Sequence, residues 1–398
     1  MRTIFLIFLY LLPLGCLAQY SITGKIVNAT DNTAFPDASV LLSNTTVGTK
    51  SNDDGSFTLN NVMPGKYTLI VSAVGFEKYQ QEIMVNKNIA VNNITLKVKT
   101  TVLQDVTIKL DPNRNKYLAM FTKQFLGSKG NALQCKILNP EVLRFDFDQA
   151  ANVLYAYADD FIELENKALG YKIKYLLKYF STNESYGQTS YTGEHVFEKL
   201  TGDAKAEKEW EENRKEAYNG SPKHFFRSLI ANNLKKEKFY VFKVTREGWS
   251  LLPNKLLIKK LIDKDTLRLK NITDADISST SFGKPGNERL KLVQPKLERA
   301  DIFSKTDQPG LYALRFDDLL THLMFVMYTK KTVLKNTYYF VNTSFTIDKS
   351  ATFIIFSKPY ALFDDNGIVA SSGSIVFSGE WSDSRIGELL PADYWPDK

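Results

Sequence analysis

The chain holds three histidines in 398 residues, and two of them have the spacing of metal ligands. His195 and Glu198, in "HVFE", stand in the HxxE arrangement of a zinc-ligand pair, and His322 lies far enough downstream to supply a third ligand. Zinc catalysis needs three convergent protein ligands, an open position for water and a general base. No arginine-rich motif for a substrate carboxylate and no late catalytic Glu is evident after His322. The main expectation is therefore no catalytic, cofactor or metal residue. Zinc hydrolysis by His195, Glu198 and His322 is the alternative.

Other chemistry-bearing residues have plainer readings. His224 falls in the first turn of a helix opened by Ser221-Pro222, beside Lys223 and Arg227. Free N–H groups at a helix start can hold an anion, but packing of the imidazole on Tyr218 is the preferred reading. Cys135 sits in the apolar "ALQCKIL", the setting of a buried, unreactive thiol. Asp53 and Asp54 lack a third acidic neighbour for calcium and read as turn residues. Trp381 and Trp395 could offer exposed rings to a carbohydrate, although a terminal aromatic more often closes a core. No Gly-x-Ser-x-Gly elbow, phosphate loop or dinucleotide fingerprint occurs.

Charge and leader bound the setting. The net charge is +7, from 51 Lys and Arg against 44 Asp and Glu, interspersed in stretches such as "DAKAEKEWEENRKEA". A nucleic-acid binder concentrates its basic residues on one face, so nucleic acid is not the expected partner. "MRTIFLIFLYLLPLGCLAQ" has a basic Arg2, an apolar run from Ile4 to Leu14 and a small-x-small site at Cys16-Leu17-Ala18. Residues 1–18 therefore read as a signal peptide cleaved between Ala18 and Gln19. Lipidation at Cys16 is the competing reading, which Pro13 fits poorly. Beyond residue 19 no apolar run reaches the ~20 residues of a spanning helix, so the mature chain is expected to have no transmembrane helix.

Residues 20–100 run through short strands bounded by Gly, Pro, Asn and Asp, the pattern of a β-sandwich. In "GKYTLIV", Tyr67, Leu69 and Val71 share one face, and Thr68 and Ile70 the other. Asn52-Asp53-Asp54-Gly55 predicts a tight hairpin with Gly55 at positive φ. Pro64-Gly65 predicts a type II turn.

The same stretch resembles the carboxypeptidase-like regulatory domain. The likeness rests on Gly24, Pro36-x-Ala38-x-Val40, Gly48-Thr49, Asp54-Gly55-x-Phe57, Pro64-Gly65-x-Tyr67 and Val71-Ser72 ahead of Gly75-Phe76. It implies a seven-strand transthyretin-like sandwich. It also implies an accessory role, as in modules beside zinc carboxypeptidases or ahead of outer-membrane receptors, without catalytic residues. The enzyme fold of those carboxypeptidases is α/β, unlike the antiparallel pattern of the larger domain.

After a linker at 101–115, residues 116–398 read as a larger antiparallel β-rich domain with a helical insertion at 203–235, and a split near 240 stays open. Residues 116–127 suit a helix with Tyr117, Leu118, Phe121 and Phe125 on one side. "VLRFDFD" and "GYKIKYLL" alternate as half-buried strands, as do Leu267 and Leu269 against Arg268 and Lys270. In the insertion, Glu211 and Lys215 are spaced as an exposed helical ion pair, and Phe225, Phe226, Leu229 and Ile230 form a packed face. Segments such as "NPEVLRFDF" and "AYNGSPKHFFRSL" resemble the region C-terminal to the regulatory module in a group of exported envelope proteins, a likeness that carries no activity. The fold class expected is mainly β. The function expected is a non-catalytic exported cell-envelope protein acting by binding or assembly, in the periplasm or at the outer membrane or cell surface. Its partner would be an envelope protein or a surface glycan.

Overall fold

The computed structural model describes residues 19–99, 112–185, 187–247, 262–263, 266–267, 289–316, 322–340, 343–371 and 373–396. The leader at 1–18, most of the linker and the alternation at 268–270 lie outside them.

The first module is a sandwich of β1 (Tyr20–Asn28), β2 (Ser39–Leu42), β3 (Gly48–Lys50), β4 (Ser56–Val62), β5 (Gly65–Ser72), β6 (Tyr79–Val85), β7 (Ile89–Ala90) and β8 (Ile94–Leu96). One sheet runs β3-β2-β5-β6 and the other β4-β1-β7, with β8 also on β1. Strands β7 and β8 lie end to end along β1, both parallel to it, and count as one interrupted strand. The seven-strand expectation is met in that sense. Ile22, Val40, Leu59, Leu69 and Val71 close the core between the sheets. Gly55 turns the chain into β4 at φ +78°, and a Cβ there would lie 2.4 Å from the Ile26 carbonyl oxygen.

A third sheet contains β9 (Cys135–Ile137), β10 (Leu143–Asp148), β11 (Val153–Ala158), β12 (Ile162–Asn166), β13 (Tyr171–Asn183) and β14 (Gln188–Lys199). Its order is β10-β11-β13-β12-β9, with β14 antiparallel along β13. Helix α1 (Arg114–Leu126) buries Tyr117, Phe121 and Phe125 and ends at Gly127, φ +103°. Phe121 and Phe125 pack on Phe180 and Tyr175 of β13.

Two helices come next. Helix α2 (Ala204–Tyr218) starts where the Asp203 side chain accepts from the Ala206 N–H, and α3 (Pro222–Ile230) where Ser221 accepts from the His224 N–H. The remaining strands are β15 (Phe239–Glu247), β16 (Ile262–Asp263), β17 (Thr266–Leu267), β18 (Arg289–Leu297), β19 (Phe303–Thr306), β20 (Leu311–Arg315), β21 (His322–Phe340), β22 (Thr343–Phe356), β23 (Tyr360–Asp364) and β24 (Ile375–Gly379). They form sheets of order β18-β15-β21-β22-β24 and β16-β17-β19-β20-β23. Phe225, Phe226 and Leu229 of α3 share one core with residues of both sheets.

Three local expectations are corrected. Gly65 begins β5 at φ +156°, outside the type II range near +80°, because its bare Cα is pressed against residues 364–366. Helix α2 is docked: the Trp210 indole N–H donates to the Lys167 carbonyl, Asn213 to Ala168 and Arg214 to Leu169. Glu211 therefore engages Arg214 and the Tyr394 hydroxyl, not Lys215. Trp381 is not exposed but buried against Phe225 and Phe377.

Candidate functional site

The candidate metal ligands stand on different surfaces. His195 and Glu198 are three apart on β14, and strand alternation sends them to opposite faces. The His195 ring stacks on Tyr175 at 5.7 Å and meets Phe197 edge-on at 5.4 Å. Burial holds its pKa far below the usual imidazole range, and its Nδ1 has no hydrogen-bond partner among the described residues. Glu198 pairs with Lys174 Nζ at 2.7 Å. His322 opens β21 in a separate sheet, opposite Thr245. Among the described residues no group of three or more His, Cys, Asp or Glu is placed to hold a metal ion.

His224 packs on Tyr218, ring centroids 4.9 Å apart, and its Nδ1 accepts the Gly220 N–H. The helix start is thus closed by its own residues. The Cys135 thiol is buried and its pKa is pushed up to about 12 by desolvation, the opposite of what a nucleophile needs.

What the molecule does concentrate is buried polar chemistry at the joint between the first module and the rest. The loop after β2 enters a slot between β14 and the last described residues. Asn44 N–H donates to the His195 carbonyl (2.6 Å), Phe197 N–H to Thr45 (2.9 Å) and Ala392 N–H to Asn44 (2.5 Å). The Thr46 N–H and hydroxyl both donate to the Asp393 carboxylate. Ala392 itself lies in the sandwich core.

Beneath this slot α3 contributes two buried cations. Lys223 Nζ donates to the carbonyls of Leu390 and Pro391 at 2.6 and 2.8 Å. Arg227 donates to the carbonyls of Asn366, Tyr394 and Ala392 at 3.0, 2.9 and 2.6 Å, and its guanidinium lies 3.8 Å from the Trp395 ring centroid. Trp395 is therefore stacked by a cation of its own chain. Burial, with Arg227 close by, pulls the Lys223 pKa well down, and burial also lowers that of Arg227.

The acidic counterpart is Asp364. Its oxygens accept the N–H groups of Lys66, Asn366 and Ile368, yet burial outweighs these bonds and raises its pKa to about 6. Asn366 donates to the Pro64 carbonyl and the Tyr67 hydroxyl. Each group is engaged by backbone or by a neighbour that holds backbone in place, so the cluster joins two parts of the chain. Sequence reading passed over it, although Lys223 and Arg227 sit four apart in a helix whose residues from Lys223 to Leu229 are all buried. Cations buried in this way must find partners.

Residues 22–108 match the family model of the CarboxypepD_reg-like domain. No curated protein matches the chain. Among solved structures, a type II cohesin–X-dockerin complex from Acetivibrio cellulolyticus aligns at 15% identity over 20% of this chain and 58% of that one, TM-score 0.19. A pilus 2b backbone protein from group B streptococcus aligns at 14% identity over 20% and 42%, TM-score 0.18. A DUF3823 family protein from Bacteroides uniformis aligns at 6% identity over 91% and 96%, TM-score 0.16. The chain thus spans under two thirds of the first two.

Proposed function

We propose that this chain is an exported cell-envelope protein that works by binding or assembly, with its CarboxypepD_reg-like module as the contact domain. The observation that carries this reading is the outer edge of the sandwich. Strand β6 closes the order β3-β2-β5-β6 and, among the described residues, pairs with β5 alone, presenting exposed Gln80, Gln81 and Glu82. Beside it, in the loop from β5 to β6, Val74 is 102% exposed, and Val98 across from Phe76 is 57% exposed. An open strand edge next to apolar side chains suits β-augmentation, which uses backbone groups for affinity and shallow pockets for specificity. The joint engages the loop after β2 and the start of β5, and it leaves these edge residues uncovered. The partner class is another envelope protein; a surface glycan is the other candidate. Among the described residues no helix is long and apolar enough to cross a membrane.

The test is recovery of a partner from envelope extracts by the mature chain, compared with a Val74→Asp/Gln80→Lys variant. Lysine and charge on an edge oppose strand addition. The reading requires that the variant lose the partner at unchanged melting temperature. Equal recovery by both would remove β6 as the contact edge, and hydrolysis of a peptide library by zinc-loaded protein would replace binding with catalysis. Intact mass of the exported chain should correspond to a start at Gln19 without lipid.

A further inference from the structure

A cleft of about 310 Å³ lies between β15, the end of β18, the one-turn helix Arg299–Ile302 and the end of β20. Ile302 and Phe316, both buried, with Leu297, supply the apolar part of its lining. Lys243 and Arg315 line it as cations and Asp301 as the acid. The Asp301 carboxylate is already engaged, accepting the Glu298 N–H at 2.7 Å in the cap of the short helix. Arg315 is steadied by donation to the Ala300 carbonyl at 2.8 Å. Its Nε is buried without an acceptor among the described residues. Lys243 has a ring contact with Phe316 at 5.9 Å and no carboxylate partner among the described residues. Two cations lining one cleft, one with an orphaned donor, are an arrangement that folding alone does not favour.

We infer that this cleft binds a small organic monoanion, a carboxylate on an apolar body. Among the described residues the charges lining it sum to +1, which matches a single negative charge. A dianion would set its second charge against Asp301. The volume is at the low end of ligand sites, about 300 Å³ and upward, which suits a single-ring acid. The planar guanidinium edge of Arg315 fits a carboxylate, with Lys243 as a point charge and Leu297, Ile302 and Phe316 around the body. This site is independent of the β6 edge, so either reading can fail alone.

The test is calorimetric titration of the mature chain with benzoate, benzamide, phenyl phosphate and inorganic phosphate at constant ionic strength. Benzoate is expected to bind saturably, and benzamide and phenyl phosphate at least about tenfold more weakly, the loss of one charge-assisted interaction. Arg315→Gln and Lys243→Gln should each weaken benzoate by about tenfold or more. Lys243 is only partly buried, so its variant stays informative if Arg315→Gln unfolds. Benzoate that fails to bind, binds the Lys243 variant unchanged, or is matched by benzamide overturns the proposal. Phosphate or phenyl phosphate binding more tightly than benzoate also overturns it.

Discussion

Gly65 lies so close to Asn366 that a β-carbon on it would stand 2.3 Å from the amide nitrogen, with Asp364 Oδ2 at 3.0 Å. The missing side chain lets the start of β5 reach the loop after β23, where Asp364 takes the Lys66 N–H and Asn366 takes hold of Pro64 and Tyr67. Gly65→Ala would add both a steric conflict and an L residue at φ +156°. It should cost about 1–3 kcal/mol, read as a lower urea midpoint. An unchanged midpoint would mean that the two parts do not meet there.

Arg227 should not be replaceable by lysine. One guanidinium serves three carbonyls from two segments and stacks on Trp395, and a lysine ammonium cannot reproduce that fork. Arg227→Lys leaves buried carbonyls unpaired, at about 1–3 kcal/mol for each one orphaned. The expected readout is early proteolytic clipping between residues 390 and 396 while the rest of the chain resists. Wild-type resistance of that segment in the variant would show the strap to be held elsewhere.

The sandwich was legible in the sequence because its signals are local. Alternation in β5, the turn at Asn52–Gly55 and the Pro36-x-Ala38-x-Val40 spacing each report on a few neighbouring residues. The helix starts at Asp203 and Ser221 were legible for the same reason. The joint was not, because Lys66 meets Asp364 and Thr46 meets Asp393 across most of the chain. Single residues at such separations leave no periodic trace. Gly65 was misread on that account: a local rule assigned it a turn, and a distant contact determined its conformation. The HxxE spacing misleads in a related way, since ligands three apart converge on a helix but diverge on a strand like β14.

Buried titrations of opposite sign shape the acid limb of stability, with His195 acting in the same direction as His224. His224 has its folded pKa depressed to about 4 from 6.5, chiefly by burial. As pH falls through that window the unfolded state takes the proton first, and stability drops. Asp364 is raised to about 6 from 3.8, so the native state takes its proton first and this group's contribution improves over nearly the same range. His224→Gln should therefore flatten the loss of stability between about pH 6.5 and 4, and Asp364→Asn should steepen it. Melting temperature against pH for the three proteins is the measurement; parallel curves would show that neither group titrates as its surroundings require.

Glu198 provides the sharpest separation of contact from catalysis. As a zinc ligand it would be indispensable, but in the structure it is 46% exposed and paired with Lys174 on the face of β14 away from His195. Exposed ion pairs contribute about 0–1 kcal/mol, so Glu198→Gln should leave stability almost unchanged and leave the metal content at the wild-type level. His195→Phe complements it: a phenyl ring can occupy the stack between Tyr175 and Phe197 and removes a buried Nδ1 that has no partner among the described residues. The backbone bond from Asn44 to residue 195 is untouched by that change, so the module should stay docked at neutral pH. Elemental analysis and peptide cleavage assays on both variants distinguish the two readings. Stoichiometric zinc in the wild type, lost in both together with cleavage, would require the three ligands to converge in solution and would end the binding reading.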